Sequence, residues 1–79
     1  MQKYPVIDIQ ATGERIRTLR ESRGLTVKQL QNFFGFSEPQ ALYKWQRGQN
    51  LPDIQNLLIL SKVLGVAIED ILVIRDNGE

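Results

Sequence analysis

The sequence contains no cysteine and no histidine. Their joint absence excludes thiol nucleophiles, disulfides, imidazole acid–base catalysis and the usual zinc sites in one step. No apolar run approaches the roughly 18 residues that a membrane-spanning helix needs. The opening Met1-Gln2-Lys3-Tyr4-Pro5 lacks the pattern of a secretory signal. The expected compartment is the cytoplasm, which suits a chain without disulfides. There is also no glycine-rich phosphate loop and no convergent pair of acids. An enzyme is not expected, and neither is a metal, a cofactor or a membrane partner.

What is present fits one small folded unit. Apolar residues at 42% and charged residues at 24% give a globular rather than a disordered balance. Seventy-nine residues allow one modest core, and no separate effector domain is expected. The net charge of +1 hides an uneven distribution. From Glu14 to Gly48, seven Arg or Lys residues stand against three Glu, a balance of +4. From Gln49 to Glu79, two basic residues stand against five acidic ones, a balance of −3. A basic middle and an acidic end suggest one face for a polyanion and another for something else.

Glycine and capping residues divide the chain into five helices. Residues 1–11 alternate weakly around Val6-Ile7-Asp8-Ile9 and carry Pro5. They are expected to form an extended arm or a short edge strand. The first helix is expected from Thr12 or Gly13 to Arg23, capped by Thr12, with Ile16 and Leu19 inward. The second opens at Thr26-Val27-Lys28-Gln29, the spacing of a capping box, carries Leu30, Phe33 and Phe34 at helical spacing and stops at Gly35. The third follows Ser37-Glu38, with Pro39 at its first position, where no amide hydrogen is required. Leu42 and Trp45, three apart, share its inner face. The fourth runs from Asp53 as cap to Leu64, with Ile54, Leu57, Leu60, Ser61 and Leu64 inward. A short fifth covers about Ile68 to Val73, and Ala67 offers no side-chain cap, so it should fray. The expected fold is an all-α, compact five-helix bundle with a short extended arm. The domain spans 12–74 and residues 75–79 form a tail. Its core is Ile16, Leu19, Leu30, Phe34, Leu42, Trp45, Leu57 and Leu64.

The second and third helices are separated by a turn of a few residues containing Gly35, which is a helix-turn-helix arrangement. A B-DNA major groove admits one α-helix, and that helix needs polar side chains outward and an apolar anchor inward. Leu42 and Trp45 anchor the third helix, while Gln40, Tyr43, Lys44 and Arg47 point elsewhere. The chain from Gly13 to about Val73 resembles the phage Cro/repressor-type helix-turn-helix domains, also called the xenobiotic-response-element family. The resemblance is carried by Ile16-Arg17-Thr18-Leu19-Arg20, Gly24-Leu25-Thr26, Leu30, Gly35, Arg47-Gly48, Pro52, Leu57, Leu64-Gly65-Val66 and Ile71-Leu72. It implies a five-helix repressor-like domain that reads double-stranded DNA and acts as a dimer in transcriptional control.

The resemblance places Gln40 and Lys44 where the family reads bases, with Pro39 and Ala41 beside them for apolar contact; Tyr43, exposed on the same helix, is expected as a further DNA contact. Chemistry agrees, because Gln pairs bidentately with adenine and Lys donates to guanine O6 and N7. The resemblance places Thr26, Arg47, Gly48 and Gln49 against phosphates, and the basic Lys28 is expected to join them. Three positions depart from the family pattern. Val27 stands where Gln is common, Gln31 where a small residue is preferred, and Gln46 where a Glu often pairs with the arginine at Arg20. The turn is also one residue longer, taking Glu38 as the cap, which makes room for Gln31. Arg17 and Arg23 are expected to be solvated surface charges. Leu58, Ile59, Val73 and Ile74 lie off the inner stripes and mark a two-fold homodimer interface, unless the apolar arm covers the fourth helix.

Two functions fit these residues. One is a sequence-specific transcriptional regulator that places the helix from Pro39 to Arg47 in the major groove of a palindromic site. The other is a protein-interaction module, antitoxin-like or co-regulatory, built on the same scaffold, which the departures and the low net charge favour. Salt dependence separates them, because only DNA binding releases condensed counterions.

Overall fold

The computed structural model describes residues 4–77; residues 1–3 of the expected arm and residues 78 and 79 of the expected tail lie outside them. The chain runs β1 (Tyr4–Ile7), α1 (Ile9–Ser22), α2 (Val27–Phe34), α3 (Gln40–Gln46), α4 (Ile54–Leu64), α5 (Ile68–Ile71) and β2 (Ile74–Asn77). The five expected helices are present. A small antiparallel sheet joins the two ends of the described chain, with Tyr4 opposite Asn77 and Ile7 opposite Ile74. The Asp8 N–H donates to the Val73 carbonyl at 2.8 Å and continues that ladder into the helical body.

α1 starts three to four residues earlier than its sequence suggests. Its cap is Asp8, whose Oδ1 accepts from the Ala11 N–H at 3.0 Å, and not Thr12. Thr12 lies fully buried one turn into the helix, where its Oγ1 accepts from the Val73 N–H at 2.9 Å. The hydroxyl thus satisfies a backbone donor at the approach to β2, which would otherwise be lost to the interior. Gly13 is likewise inside the helix. A Cβ there would stand 2.3 Å from the Trp45 carbonyl oxygen and 2.9 Å from that of Gln46. Its hydrogen side chain is what lets α1 lie directly on the backbone of α3.

The core is Ile16, Leu30, Leu42, Trp45, Leu57, Leu60, Leu64 and Ile71, drawn from all five helices. Leu19 and Phe34, expected within it, are half-buried and pack against it. Ile54, expected inward, is instead 82% exposed, and Phe33 is exposed as well. Helical side chains lean toward the helix N-terminus, so one at the first position projects off the end of α4 instead of beneath it. Asp53 caps α4 through Oδ1 to the Asn56 N–H at 2.8 Å. α5 is shorter than expected and ends at Ile71. Its start is held from the opposite direction, by the Asp70 carboxylate accepting from the Ala67 N–H at 3.2 Å. Ala67 itself offers no side-chain cap, as expected.

Candidate nucleic-acid interface

The turn between α2 and α3 is fixed by one backbone feature and two side-chain devices. Gly35 adopts the left-handed conformation, φ 71° and ψ 22°, and closes α2 as the spacing of the sequence requires. The chain then folds back, so that Phe36 stacks on Phe34 with ring centroids 5.0 Å apart. Trp45 meets both rings edge-on, at 5.4 and 6.1 Å. Phe36, which sequence reasoning left unassigned, is therefore the apolar link between the turn and α3. Gln31 is the polar link. Buried at 6% exposure, it donates from Nε2 to the Phe36 carbonyl at 3.0 Å. Through that bond Gln31 holds the turn.

α2 begins with the expected capping box. The Gln29 N–H donates to Thr26 Oγ1 at 3.0 Å, and the Thr26 N–H donates to Gln29 Oε1 at 2.9 Å. α3 is seven residues long, with Pro39 just before it and Arg47 just after. Pro39 is its cap residue, one place before its expected role and one beyond Glu38, and contributes no side-chain hydrogen bond.

α3 has two faces of opposite character. Leu42 and Trp45 are buried, whereas Gln40, Tyr43 and Lys44 are exposed, as is Arg47 at its end. The Arg47 guanidinium lies over the Tyr43 ring, 5.6 Å from its centroid. Ala41 is half-buried and packs against the core, and Pro39 is half-buried. Thr26, Lys28 and Gln49 are exposed. Gly48, at φ 74°, is pressed on α1: a Cβ there would lie 2.8 Å from the Gln10 Cα.

α3 is tied back to α1 by an arginine. Arg20 donates from Nε to Gln46 Oε1 at 3.3 Å and from Nη1 to the Leu25 carbonyl at 2.7 Å. Gln46 also donates from Nε2 to the Leu42 carbonyl at 3.1 Å. The Arg20 guanidinium and the neutral Gln46 thus share a hydrogen bond and no ion pair, as the residue types dictate. Arg23 is exposed, as expected, and also makes a bond across the fold. Its Nε donates to the Leu64 carbonyl at 2.8 Å and satisfies the end of α4. Arg17 pairs with Glu21 one turn on, both largely solvated.

The expected dimer residues divide in two: Leu58 and Ile74 are 47% and 55% exposed, and Ile59 and Val73 are half-buried. The arm does not bury α4 all round, since β1 is engaged with β2 and Leu58 stays in solvent. Among the described residues, no helix is long and apolar enough to cross a membrane, and no group of three or more His, Cys, Asp or Glu is placed to hold a metal.

A short two-faced helix carried on a capped helix by a braced turn defines a helix-turn-helix domain. A family profile described as helix-turn-helix matches residues 16–71. The chain belongs to this Cro/repressor-type family. It is 33% identical over 60 residues to the SPbeta prophage-derived HTH-type transcriptional regulator YonR of Bacillus subtilis (strain 168). That match covers 76% of this chain and 55% of YonR, so the chain spans little more than half of that curated relative. Among solved structures it is similar to the restriction-modification controller protein C.AhdI from Aeromonas hydrophila. The TM-score is 0.72 at 26% identity, covering 81% of this chain and 96% of that one. The clp gene regulator ClgR from C. glutamicum gives a TM-score of 0.68 at 26% identity, covering 78% of this chain and 79% of that one. The DNA-binding domain of BldD from S. venezulae shares the fold, with a TM-score of 0.69 at 20% identity over 82% of this chain and 96% of that one.

Proposed function

We propose that this chain is a sequence-specific double-stranded DNA-binding domain of a transcriptional regulator, working as a homodimer in the cytoplasm, and a binding module rather than an enzyme. The observation that carries this reading is the division of α3. Leu42 and Trp45 hold it in the core while Gln40, Tyr43, Lys44 and Arg47 stand outward on a rigid bracket. Family membership and the likeness to transcriptional regulators support it. Gln40 and Lys44 read base edges, with Tyr43 beside them, and Pro39 and Ala41 limit which bases approach. Thr26, Lys28, Arg47, Gly48 and Gln49 meet the backbone on either side. Two-fold symmetry puts the half-sites about one helical turn apart.

The test is selection from a randomised duplex pool at two salt concentrations, followed by sequencing. An enriched palindrome whose retention weakens steeply with salt is the expected result. Absence of enrichment at both salt concentrations overturns the reading and moves the function to protein recognition. Replacing Lys44 or Gln40 by Ala should then cost roughly 1–3 kcal/mol and relax preference at one base pair.

A further inference from the structure

The ribbon formed by β1 and β2 is open to water on most sides. Its strands make their main contacts with each other and not with a helix. The molecule measures 45 Å by 22 Å by 20 Å, long for its girth, as a ribbon standing off a helical body makes it. Tyr4, Ile7 and Ile74 are exposed on it. Two strands alone are marginal in water, and stability comes with further strands or a covering layer. Each strand of this ribbon is also an edge.

The two edges are not alike. The Asp8 N–H donates to the Val73 carbonyl, which makes Asp8 and Val73 a hydrogen-bonded position of the ladder. Positions alternate along an antiparallel pair. Ile7–Ile74 and Pro5–Asp76 are therefore the non-hydrogen-bonded pairs, whose backbone groups turn away from the neighbouring strand. On β1 the outward residues are Pro5 and Ile7, and Pro5 has no N–H to offer. A proline so placed shuts an edge against strand addition. On β2 the outward residues are Ile74 and Asp76, and each carries both a donor and an acceptor. One edge is closed and the other is open.

We propose that the open edge of β2 pairs antiparallel with β2 of a second copy, giving a four-stranded sheet across the two-fold, and that Pro5 stops the sheet from growing further. An edge that meets its own copy about a two-fold forms a closed, isologous contact. The phase of the ladder allows the axis to pass at Ile74, Arg75 or Asp76. At Arg75 or Asp76 it sets identical charges opposite each other, which is unfavourable. At Ile74 it places that residue against the partner's Ile74, the two exchanging both backbone bonds. Ile7 lies directly opposite Ile74 within each copy, on the same face of the ribbon. The axis at Ile74 thus joins two pairs into one row of four isoleucines. Ile7 and Ile74 are 38% and 55% exposed in the single chain, and the row covers that carbon. The proposal rests on the homodimer reading above and names its seam.

The test is sedimentation equilibrium of the full chain and its Ile74→Pro and Pro5→Thr forms, with folding checked by circular dichroism. The Ile74 N–H is not used between β1 and β2, so Ile74→Pro should keep the ribbon and close its outer edge. It should raise the dissociation constant of the dimer about a hundredfold, since symmetry removes two donors and the Ile74 contact together. Pro5→Thr opens the second edge and should add species larger than a dimer at high concentration. Amide hydrogen exchange of the parent reads the same seam without a substitution: the Ile74 amide should exchange more slowly as concentration rises through the dimer range. If the parent is dimeric but Ile74→Pro matches its dissociation constant, or the Ile74 amide exchanges alike in monomer and dimer, the seam is wrong and the homodimer stands. If Pro5→Thr never exceeds a dimer, the role of Pro5 is wrong. If the parent stays monomeric into the millimolar range and on a palindromic duplex, the seam and the homodimer both fall.

Discussion

The bracket that carries α3 and the outer side of α4 solve different problems with the same residue types. In the bracket, buried polar atoms are spent on geometry: Gln31 holds the turn at Phe36, Gln46 holds Arg20, and Arg20 reaches the head of α2. On the α4 side, apolar carbon is left in water, at Ile54 and Leu58, and also at Ile74 in β2. Charge divides the same way, +4 through Gly48 and −3 beyond it. A helix that must enter a groove at one angle needs its orientation fixed within its own chain. A surface with uncovered Ile and Leu is complete only against a second surface. The contrast can be broken from either side, and the expected effects differ in size.

The largest effect is expected at Trp45, which is at once the core anchor of α3 and the ring on which Phe34 and Phe36 pack. Trp45→Ala should cost about 3–5 kcal/mol. Small domains have only 5–15 kcal/mol in total, so near-complete unfolding at 37 °C is expected. Thermal melting by circular dichroism checks it. A variant that melts within a few degrees of the parent would mean that α3 is held by its polar ties and not by this ring.

Gly13 comes next, and two effects of opposite sign meet there. Alanine inside a helix is favoured over glycine by about 1 kcal/mol. Against that, the new Cβ would sit 2.3 Å from the Trp45 carbonyl, a backbone atom that moves only if α1 and α3 part. Overpacking of this kind costs about 1–3 kcal/mol or more. The clash should win, lowering the melting temperature by roughly 4–8 °C for each net kcal/mol lost. A stabilised Gly13→Ala protein would show that the two helices can separate without loss.

Gly13 also marks the limit of what its own sequence reveals. A glycine beside Thr12 reads as a helix start because local rules see only neighbours along the chain. What places it mid-helix is the backbone of α3, more than 30 residues away. Thr12 misleads for the same reason, its hydroxyl serving Val73 across the fold and not the residues that follow it. Elements governed by local chemistry were legible: the Thr26–Gln29 box, the stop at Gly35, the Asp53 cap and the Leu42–Trp45 face all stand as their spacing implies. The outward placement of Gln40, Tyr43, Lys44 and Arg47 follows from that face and was equally legible. The depression that Arg17, Tyr43 and Arg47 line beside α3 was not, because those residues come together only when α1 lies on α3. Nor was the sheet, since two four-residue segments at opposite ends carry too little pattern to announce a pairing.

Gln31 gives a smaller effect that bears on position more than on stability. Gln31→Ala removes the donor to the Phe36 carbonyl and should cost about 1–3 kcal/mol, the usual range for stranding a buried partner. Because the lost bond is the one that fixes the turn, duplex affinity should fall in the folded protein even at a temperature where unfolding is negligible. Binding titration at 10 °C beside a urea melt separates the two. Equal affinity with lowered stability would make Gln31 a core filler only.

The smallest effect on the folded monomer, and the most direct question put to the α4 side, is at Leu58. It is 47% exposed, so Leu58→Ser removes little buried carbon, and stability of the monomer should change by no more than about 0.5 kcal/mol. If this surface joins two copies, the same change places a hydroxyl in an apolar contact, repeated twice by symmetry. Sedimentation equilibrium should then show the variant dissociating at concentrations where the parent is dimeric. Affinity for a single half-site should be retained, while affinity for the full palindrome falls. A variant whose mass and palindrome binding both match those of a dimeric parent would place the two-fold elsewhere, and the exposed Ile74 of β2 would be the next position to change.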